Sequence, residues 1–522
     1  MLPYVSVVDR DLQFCLNYVT KGTREMEEYK RPYQNLYETL VDSANKYPHK
    51  IAIIDDEEEV TYCELLRRVD ELSVVLKMKY HLREQQQIGI LMVNSIKAVT
   101  AFYAAMKIGC IAFMINTKYT EHEILALLQE MDVKLIISDS RWMYKVTTII
   151  DYLDIKTILT ETDNFECGSV IGEVDCASNI EYTAVIMHTS GTTGKPKGVM
   201  VTHHNILEAA YGYQEVQGLD ETAVTVLSVP LFHILGLSCV TTMFIYLGAT
   251  IVLSEFYRVD DVLMKIKKYK ATHFHSVPAI YLQIIESDYM DKNLTTIKTA
   301  VCGGASISRE AMDAFCKLAP NATLHLAYGM TETAGSGTLS AVHKEALMAV
   351  PNVKMKVVDE NYRELPPGEI GELVFCGPCV ARGRWKAESL PDDRMYSGDV
   401  GYMDEEGHVY VIDRLKDIIN RGGEKIFPIE IEEVLLQYPR VAKAAVFAVS
   451  SEKYGEVPTA VVIPENGSEV DMEGLREYLA ARVAKFKLPV SIDKIEKLPV
   501  TQNGKVRKQE LRKWAEGRGY RT

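Results

Sequence analysis

The residues from 182 to 204 read YTAVIMHTSGTTGKPKGVMVTHH and carry the densest set of groups suited to binding phosphate. A β-branched and apolar run from Tyr182 to Met187 predicts a buried strand. The next segment, Thr189 to Gly198, contains three glycines, two lysines, a proline and four hydroxyl side chains. Glycines let backbone N–H groups turn inward, and hydroxyls and lysines add donors and charge, which suits a polyphosphate. The Walker A spacing is absent, since Pro196 follows Lys195. A mobile surface loop is the alternative interpretation.

Two later strands end in groups suited to a nucleotide and its metal. TAVCGGASIS at 299–308 predicts a strand, a Gly303-Gly304-Ala305 turn and a helix beginning near Ser308. Small residues in such a turn let a flat ring approach the backbone. The strand Thr323 to Ala327 runs into YGMTET, which offers an aromatic face, hydroxyls and the carboxylate of Glu332. Ligands of parallel α/β sheets bind at the carboxyl ends of the strands. Taken alone, these features have simpler interpretations: a purely structural turn at 303–305, and a solvated carboxylate at Glu332.

Two further turns carry single charged side chains. Ser397-Gly398-Asp399 predicts a turn whose carboxylate is suited to chelating ribose hydroxyls, although most turn aspartates only form the turn. Near the carboxyl terminus, Asn503-Gly504 predicts a hairpin that would project Lys505 into solvent.

Strands alternate with helices around these segments, which predicts an α/β fold with parallel sheet covered on both faces. The predicted strands are 51–55, 88–93, 110–115, 135–138, 223–228, 273–277, 408–412, 444–449 and 459–463. The predicted helices are 35–44, 62–77, 99–108, 203–216, 260–269, 428–437 and 471–484. From Val353 to Tyr410 short strands and Gly/Pro turns indicate a small β-rich part. The charged run Asp413 to Asp417 is the predicted domain boundary.

Composition narrows the class of protein. A chain of 522 residues is too long for one ordinary core, so two or more domains are expected. The net charge of −14 argues against a nucleic-acid or anionic-membrane partner. Ten scattered cysteines, with no signal-peptide pattern at the start of the sequence, predict a cytoplasmic protein with reduced thiols.

The segment Thr189 to Gly198 resembles the signature of the adenylate-forming superfamily, which includes acyl-CoA synthetases, peptide-synthetase adenylation domains and beetle luciferases. The family's YGxTE motif is matched at 328–332, and its IGEL and Gly-Pro elements at 370–378. The resemblance extends from about residue 35 to 513. It implies a large N-terminal domain of doubly wound α/β sheets plus a small β-rich subdomain, residues 1–414. A small mobile C-terminal α+β domain, residues 415–522, is expected to follow.

The resemblance implies a ligase that uses ATP, Mg²⁺ and CoA. A carboxylic acid would attack the α-phosphate of ATP, and a thiol would then displace AMP. The phosphate cradle would comprise Thr189, Ser190, Gly191, Thr192, Thr193, Gly194, Lys195 and Lys197. Thr331 would contact the α-phosphate, Glu332 would bind Mg²⁺, and adenine would lie against Gly303, Gly304, Ala305, Tyr328 and Gly329. Asp399 and Arg414 would hold the ribose, and Lys505 would contact the carboxylate and α-phosphate. Lys416 would be the hinge, and Gly422 and Gly423 would approach the tunnel for the thiol.

The acid pocket is expected near Phe232 to Gly236, His273 to Pro278 and Gly303 to Ser306. Amino-acid adenylation domains usually place an aspartate after the phenylalanine, whereas this chain has His233, which is a candidate catalytic residue. An aryl or aliphatic acid is therefore expected, and its identity stays open.

The chain departs from the family pattern twice. Residues 341–353 lack the usual glycine-rich GSxG, and GYW is replaced by Gly383-Arg384-Trp385. Both changes are expected to reshape the wall of the site without touching the phosphate chemistry.

Three alternatives remain open. A standalone adenylation enzyme would load the acid onto a carrier protein's phosphopantetheine instead of CoA. Cys376 and Cys379 have the spacing of a dithiol oxidoreductase, although their strand-then-loop context lacks the helix N-terminus that activates such thiols. Residues 231–253 carry no charged side chain, but a buried helix followed by a strand at 249–253 explains them better than a membrane span.

Overall fold

The computed structural model describes residues 33–161, 172–189, 197–289, 292–340, 346–386, 394–465, 468–500 and 506–518. The chain divides into two compact units. The first comprises the described parts of Met1–Lys354 and Phe375–Met395, and the second those of Met355–Val374 and Tyr396–Thr522.

The first part of the chain alternates helices and strands as predicted. Its elements are α1 Leu36–Lys46, β1 Ile51–Ile54, β2 Glu59–Thr61, α2 Tyr62–Val74, β3 Gln87–Leu91, α3 Ile96–Lys107, β4 Ile111–Met114, α4 Glu121–Glu130, β5 Val133–Ser138, α5 Ser140–Met143, α6 Thr147–Leu153 and β6 Lys156–Leu159. A π-helical turn, Val75–Lys79, extends α2.

The next part continues this alternation as far as β13. Its elements are β7 Thr183–Thr189, β8 Lys197–Thr202, α7 His203–Gln217, β9 Val224–Leu227, a π-helix Leu235–Thr242, α8 Met243–Leu247, β10 Thr250–Leu253, α9 Val259–Lys268, β11 His273–Ser276, α10 Pro278–Glu286, β12 Thr299–Gly303, α11 Arg309–Leu318, β13 Thr323–Gly329, a 3-10 turn Thr331–Thr333, β14 Gly337–Ser340 and β15 Leu347–Ala349.

The remaining elements are richer in strand. They are β16 Lys354–Val358, β17 Gly371–Cys376, β18 Gly383–Arg384, β19 Arg394–Met403, β20 Val409–Arg414, a 3-10 turn Leu415–Asp417, β21 Ile419–Arg421, β22 Glu424–Ile426, α12 Pro428–Leu436, β23 Val441–Ser451, β24 Gly455–Pro464, α13 Met472–Ala480, a 3-10 turn Lys485–Lys487, β25 Ile492–Lys494 and α14 Lys508–Gly517.

Two sheets organise the first unit. In one, the strand order among the described residues is β15-β14-β13-β12-β11-β9-β10-β1-β2, and the pairs from β13 to β1 are parallel. In the other, the order is β18-β8-β7-β4-β3-β5-β6, with the pairs from β7 to β6 parallel. Phe113, Ile136 and Ile186 are buried in the core of the second sheet. The predicted α/β class is confirmed.

The second unit holds two smaller groups of strands. β16, β17, β19 and β20 form one, and β22-β21-β24-β23, with β25 beside β24, form the other. Helix α12 begins with Pro428 at its first position, as expected, and Ile431 and Leu435 are buried against this sheet. The predicted division at residues 414 and 415 and the mobility of the C-terminal domain stay predictions.

Local sequence signals account for the helix that follows the predicted phosphate loop. The Thr202 hydroxyl accepts the N–H of Asn205 at 3.1 Å, and the Asn205 side chain accepts the N–H of Thr202 at 2.8 Å. This reciprocal cap satisfies two N–H groups that the helix itself leaves free. α7 therefore begins at His203, immediately after β8.

The apolar segment 231–253 folds inside the first unit. It contains the π-helix, α8 and β10. Within the described ranges, the structure has no helix long and apolar enough to cross a membrane. The prediction of a buried helix followed by a strand is confirmed.

Candidate active site

The predicted phosphate loop lies between two antiparallel strands. Thr189, the last residue of β7, pairs with Lys197, the first of β8. β7 therefore extends two residues further than predicted, and β8 is a strand that was not predicted from the sequence. Ser190, Gly191, Thr192, Thr193, Gly194 and Lys195 lie outside the described residues, as does the side chain of Lys197.

The Gly303-Gly304-Ala305 turn lies at the carboxyl end of β12, as predicted. Gly303 pairs with Ala327 of β13, so the two candidate adenine segments are neighbours in one sheet. Gly304 has a φ of +85°, a conformation that L side chains rarely adopt, which explains a glycine there. Ser308 caps the helix that follows by accepting the N–H of Ala311.

The YGMTET segment continues the strand before it turns. Tyr328 and Gly329 belong to β13, which is two residues longer than predicted. Tyr328 lies 5.2 Å, centroid to centroid, from the ring of Phe375. The 3-10 turn Thr331–Thr333 follows and contacts β8. The structure thus brings Thr331 and Glu332 to the strand that begins at Lys197.

Glu332 lies in a largely buried position beside a cation. Its side chain is 13% exposed, and its Oε1 lies 3.6 Å from the Nη2 of Arg384. The backbone carbonyl of Glu332 accepts the N–H of Ala381 at 2.8 Å. Arg384 was expected to lie apart from the phosphate chemistry, whereas the structure places it against the proposed metal ligand.

The donor set at this turn fits a magnesium ion. Mg²⁺ prefers oxygen ligands, and it is usually bound by one or two carboxylates together with phosphate oxygens and water. Glu332 supplies one such carboxylate. Burial of an ionised carboxylate is costly without a counter-charge, and Arg384 is the cation that the structure places beside it.

Asp399 and Arg414 meet in the second unit. They are direct partners of the antiparallel pair β19–β20, and the Nε of Arg414 lies 3.2 Å from Oδ1 of Asp399. The prediction of a turn at Ser397-Gly398-Asp399 is wrong, because all three residues lie within β19. The Ser397 hydroxyl donates to the carbonyl of Leu373 at 2.6 Å, which ties this part of the strand to β17.

The candidate hinge and thiol-tunnel residues also lie in the second unit. Lys416 is in the 3-10 turn after β20, and its carbonyl accepts a hydrogen bond from Arg512 of α14. Gly422 and Gly423 form the turn of the β21–β22 hairpin, with φ values of +60° and +97° that favour glycine. Lys505 lies outside the described residues, whereas the flanking Val500 and Val506 pair as an antiparallel bridge.

The predicted acid pocket segments contain three buried histidines with lowered pKa values, His233, His273 and His275. Burial, reinforced by the charge of Lys118, lowers the pKa of His233 to about 4. Burial, with a contribution from His325, lowers the pKa of His275 to about 3. All three rings are therefore neutral at physiological pH. His233 also lies 4.9 Å from the ring of Phe232.

His275 has an unused polar atom. Its Nδ1 is buried and has no hydrogen-bond partner in the part of the chain that the structure describes. A Cβ at Gly303 would lie 3.8 Å from its Nε2, so the ring stands beside the candidate adenine turn. On the same strand, the hydroxyl of Ser276 lies 3.1 Å from that of Ser228.

Two of these residues were not predicted as site residues. His275 lies inside the predicted pocket segment 273–278, but no motif distinguishes it from its neighbours, all of which are buried in β11. Arg384 stood out because it replaces an aromatic residue of the family pattern. That departure was the signal, and only the pairing of β18 with β8 shows which carboxylate the guanidinium reaches.

The Cys376–Cys379 pair lies where the sequence predicts it, at the end of β17 and in the following turn. Both cysteines are reduced, and no disulfide joins them. Burial raises the pKa of Cys379 to about 12, which keeps it protonated and unreactive.

Comparison with known proteins identifies the family. The AMP-binding enzyme family matches residues 40–385, and the AMP-binding enzyme C-terminal domain matches residues 430–505. A feruloyl-CoA synthase from an Amycolatopsis species is 30% identical over 494 residues, covering 92% of this chain and 99% of its own.

Solved structures agree with this result. ATP-bound MatB from Rhodopseudomonas palustris has a TM-score of 0.85 and 26% identity, covering 93% of this chain and 99% of its own. The o-succinylbenzoate coenzyme A synthetase from Bacillus subtilis, solved with ATP and magnesium, has a TM-score of 0.80 and 28% identity. That match covers 91% of this chain and 98% of the synthetase.

The fold, with the antiparallel pair β7–β8 and the turn Thr331–Thr333 beside β8, is that of an adenylate-forming enzyme. The chain belongs to the AMP-binding enzyme family. Within that family it is an acyl-CoA synthetase, an AMP-forming acid–thiol ligase.

Proposed function

We propose that this chain activates an aryl acid carrying a second polar group, with an aliphatic acid as the alternative substrate. The oxygen of the acid's carboxylate forms a bond to the α-phosphorus of ATP. The bond from that phosphorus to the β-phosphate breaks, and pyrophosphate leaves. The thiol of CoA then loses its proton to solvent as its sulfur bonds to the acyl carbon, while the bond from that carbon to the phosphate oxygen of AMP breaks. The observation that carries the proposal is the position of Thr331 and Glu332 against β8.

The phosphate end of the site is assigned to the β7–β8 hairpin and the 3-10 turn. Thr189 and Lys197, paired at the mouth of the hairpin, flank the segment that would hold the β- and γ-phosphates. Thr331 would donate to the α-phosphate. Glu332 would hold Mg²⁺, which when bound neutralises charge on phosphate oxygens. Fixed donors and cations at this position stabilise the charge that develops in the transition state.

The nucleoside end is assigned to two segments. Tyr328 and the Gly303–Ala305 turn would contact adenine, since their strands are adjacent in the sheet. Asp399 would accept hydrogen bonds from the ribose hydroxyls, with Arg414 holding its carboxylate by the 3.2 Å contact.

We propose the domain division at residues 414 and 415, with Lys416 as the hinge. Lys505 would enter the site during acyl-AMP formation and leave it for thiol transfer. Gly422 and Gly423 would then approach CoA. The cytoplasmic location expected from the sequence is part of the same proposal.

The acid pocket supports a substrate without an ammonium group. His233 follows Phe232 where an aspartate would bind that ammonium, and the lowered pKa of His233 keeps its ring uncharged. The unpartnered Nδ1 of His275 favours an acid with a hydroxyl or carbonyl group in its distal part. Feruloyl-CoA synthase and o-succinylbenzoate coenzyme A synthetase are named for acids of this kind.

The decisive experiment is a panel of carboxylic acids assayed for pyrophosphate release with and without CoA. The proposal predicts release with substituted aryl acids and acyl-CoA formation when CoA is added. Loading of a carrier protein's phosphopantetheine without any reaction of free CoA would instead identify a standalone adenylation enzyme. Pyrophosphate release with amino acids alone would contradict the proposal.

The variant Glu332→Gln tests the metal assignment in the same assay. It should lower adenylation and raise the Mg²⁺ concentration needed for half-maximal rate, so that added Mg²⁺ partly restores activity. Unchanged Mg²⁺ dependence would show that Glu332 is not the ligand.

A further inference from the structure

Arg384 stands between the phosphate-loop strand and the proposed metal ligand. It belongs to the two-residue strand β18 and pairs with Val199 of β8. The next residue, Trp385, donates its N–H to the carbonyl of Gly198 at 2.8 Å. This pairing fixes the backbone of Arg384 beside the strand that begins at Lys197.

The ion pair between Arg384 and Glu332 is asymmetric. The Arg384 side chain is 42% exposed, whereas that of Glu332 is 13% exposed. The 3.6 Å separation of their charged atoms exceeds hydrogen-bond distance, so the guanidinium is attracted to the carboxylate without a hydrogen bond to it. A half-exposed arginine in this arrangement can turn to another anion without unfolding its surroundings.

We propose that Arg384 is a positioning residue that exchanges partners when the metal–nucleotide complex binds. Before binding, it supplies the positive charge that the largely buried Glu332 needs. When a divalent cation takes the carboxylate, the guanidinium turns to the terminal phosphates, whose oxygens match its planar set of donors. This inference rests on the proposed role of Glu332 and goes beyond it.

If Arg384 exchanges partners in this way, one substitution should have opposite effects on the affinities for the metal and for the nucleotide. Arg384→Gln removes the competitor for Glu332, so the carboxylate should bind a divalent ion more tightly in the absence of nucleotide. Because partly exposed ion pairs are weak, the gain should be about two- to fivefold. The same change removes a charged partner of the terminal phosphates, so ATP should bind about tenfold more weakly.

The test uses the full-length protein and two binding measurements. Mn²⁺ serves as the metal probe, and its free concentration is followed by electron paramagnetic resonance without nucleotide. ATP and AMP are then titrated by calorimetry in the presence of Mg²⁺ and in the absence of the carboxylic acid substrate. AMP lacks the β- and γ-phosphates, so its affinity should be unchanged in Arg384→Gln. Arg384→Lys keeps the charge and should lie between the wild type and Arg384→Gln in both measurements.

Arg382→Gln is the matched control. Arg382 lies two residues earlier and is exposed, and its guanidinium donates to the carbonyl of Glu181. Its substitution should leave Mn²⁺ and ATP affinities at wild-type values. A thermal midpoint measured for each variant shows whether it folds, and Arg384→Lys serves as the second variant if Arg384→Gln does not.

The outcomes separate this inference from the proposed function. Weaker or unchanged Mn²⁺ binding in Arg384→Gln would overturn the competition, and equal weakening of ATP and AMP would overturn the phosphate contact. In both cases Glu332 remains the metal ligand if Glu332→Gln abolishes the Mn²⁺ site. Retention of that site in Glu332→Gln would instead overturn the metal assignment itself.

Discussion

Replacement of His203 tests how burial controls the pH dependence of stability. His203 is the first residue of α7 and has no exposed surface. Its Nδ1 accepts the N–H of Leu36 at 3.2 Å, and its buried Nε2 has no partner among the described residues. Burial lowers the pKa of this imidazole from 6.5 to about 3. Protonation would place a charge in the core and put a donor where the Leu36 N–H needs an acceptor.

The sign of the effect follows from the lowered pKa. The folded state keeps His203 neutral, while the unfolded chain binds a proton below pH 6.5. The contribution is therefore fully present above pH 6.5 and is lost as the pH falls towards the folded-state value of about 3. Between neutral pH and pH 5 this histidine lowers the free energy of unfolding by about 2 kcal/mol, at roughly 1.4 kcal/mol per pH unit below 6.5.

His203→Asn offers an acceptor oxygen near the position of Nδ1 and cannot titrate. The smaller side chain should lower stability at every pH, but the loss between pH 7.5 and pH 5 should shrink by about 2 kcal/mol relative to wild type. Thermal midpoints of both proteins at the two pH values measure this difference as roughly 2–3 °C for a unit of this size. His122→Asn, at an exposed position on α4, is the matched control and should keep the wild-type pH response. If His203→Asn loses stability with pH as steeply as the wild type, burial of this ring is not what makes the fold acid-sensitive.

Lys505→Ala should lower acyl-AMP formation by about 10²–10³-fold, yet convert synthetic acyl-AMP and CoA to thioester at near wild-type rate. Lys416→Pro, which stiffens the proposed hinge, should do the reverse, and equal slowing of both steps in both variants would refute domain alternation. Serine at both Cys376 and Cys379 should leave turnover near wild type under reducing conditions; lost turnover with an unchanged thermal midpoint would revive the redox reading. His275→Leu should reduce the kcat/KM preference for a hydroxylated aryl acid over its unsubstituted counterpart by about tenfold. An unchanged ratio would show that His275 does not contact the polar group of the acid.

Features fixed by neighbouring residues were predictable from the sequence. The start of α7 follows from Thr202 and Asn205, and the start of α12 from Pro428, because caps and proline act within one helical turn. The turn at Gly304 was predicted for the same reason, since its small residues and the strand before it are adjacent in the chain. The resemblance to the family then ordered these local features into one fold.

Errors arose where a strand continues through residues that usually break one. Ser397-Gly398-Asp399 was predicted as a turn from its composition, yet it lies inside β19. Pairing with β20 begins at Asp399 and sets it opposite Arg414, whereas Gly398, in the same strand, keeps a φ of +69°. Cross-strand pairing outweighs local preference, and a single sequence does not reveal the register.

The Arg384–Glu332 contact depends on still longer-range structure. β18 has only two residues, too few for any periodicity to mark it as a strand. Its pairing with β8 places Arg384 beside a turn that follows β13, a strand of the other sheet of this unit. The effect of a residue that departs from a family pattern is therefore best inferred from the charged groups that lie beside it in the folded structure. Here that charge is the proposed metal ligand, so the substitution is expected to change metal and nucleotide affinity before it changes the choice of acid.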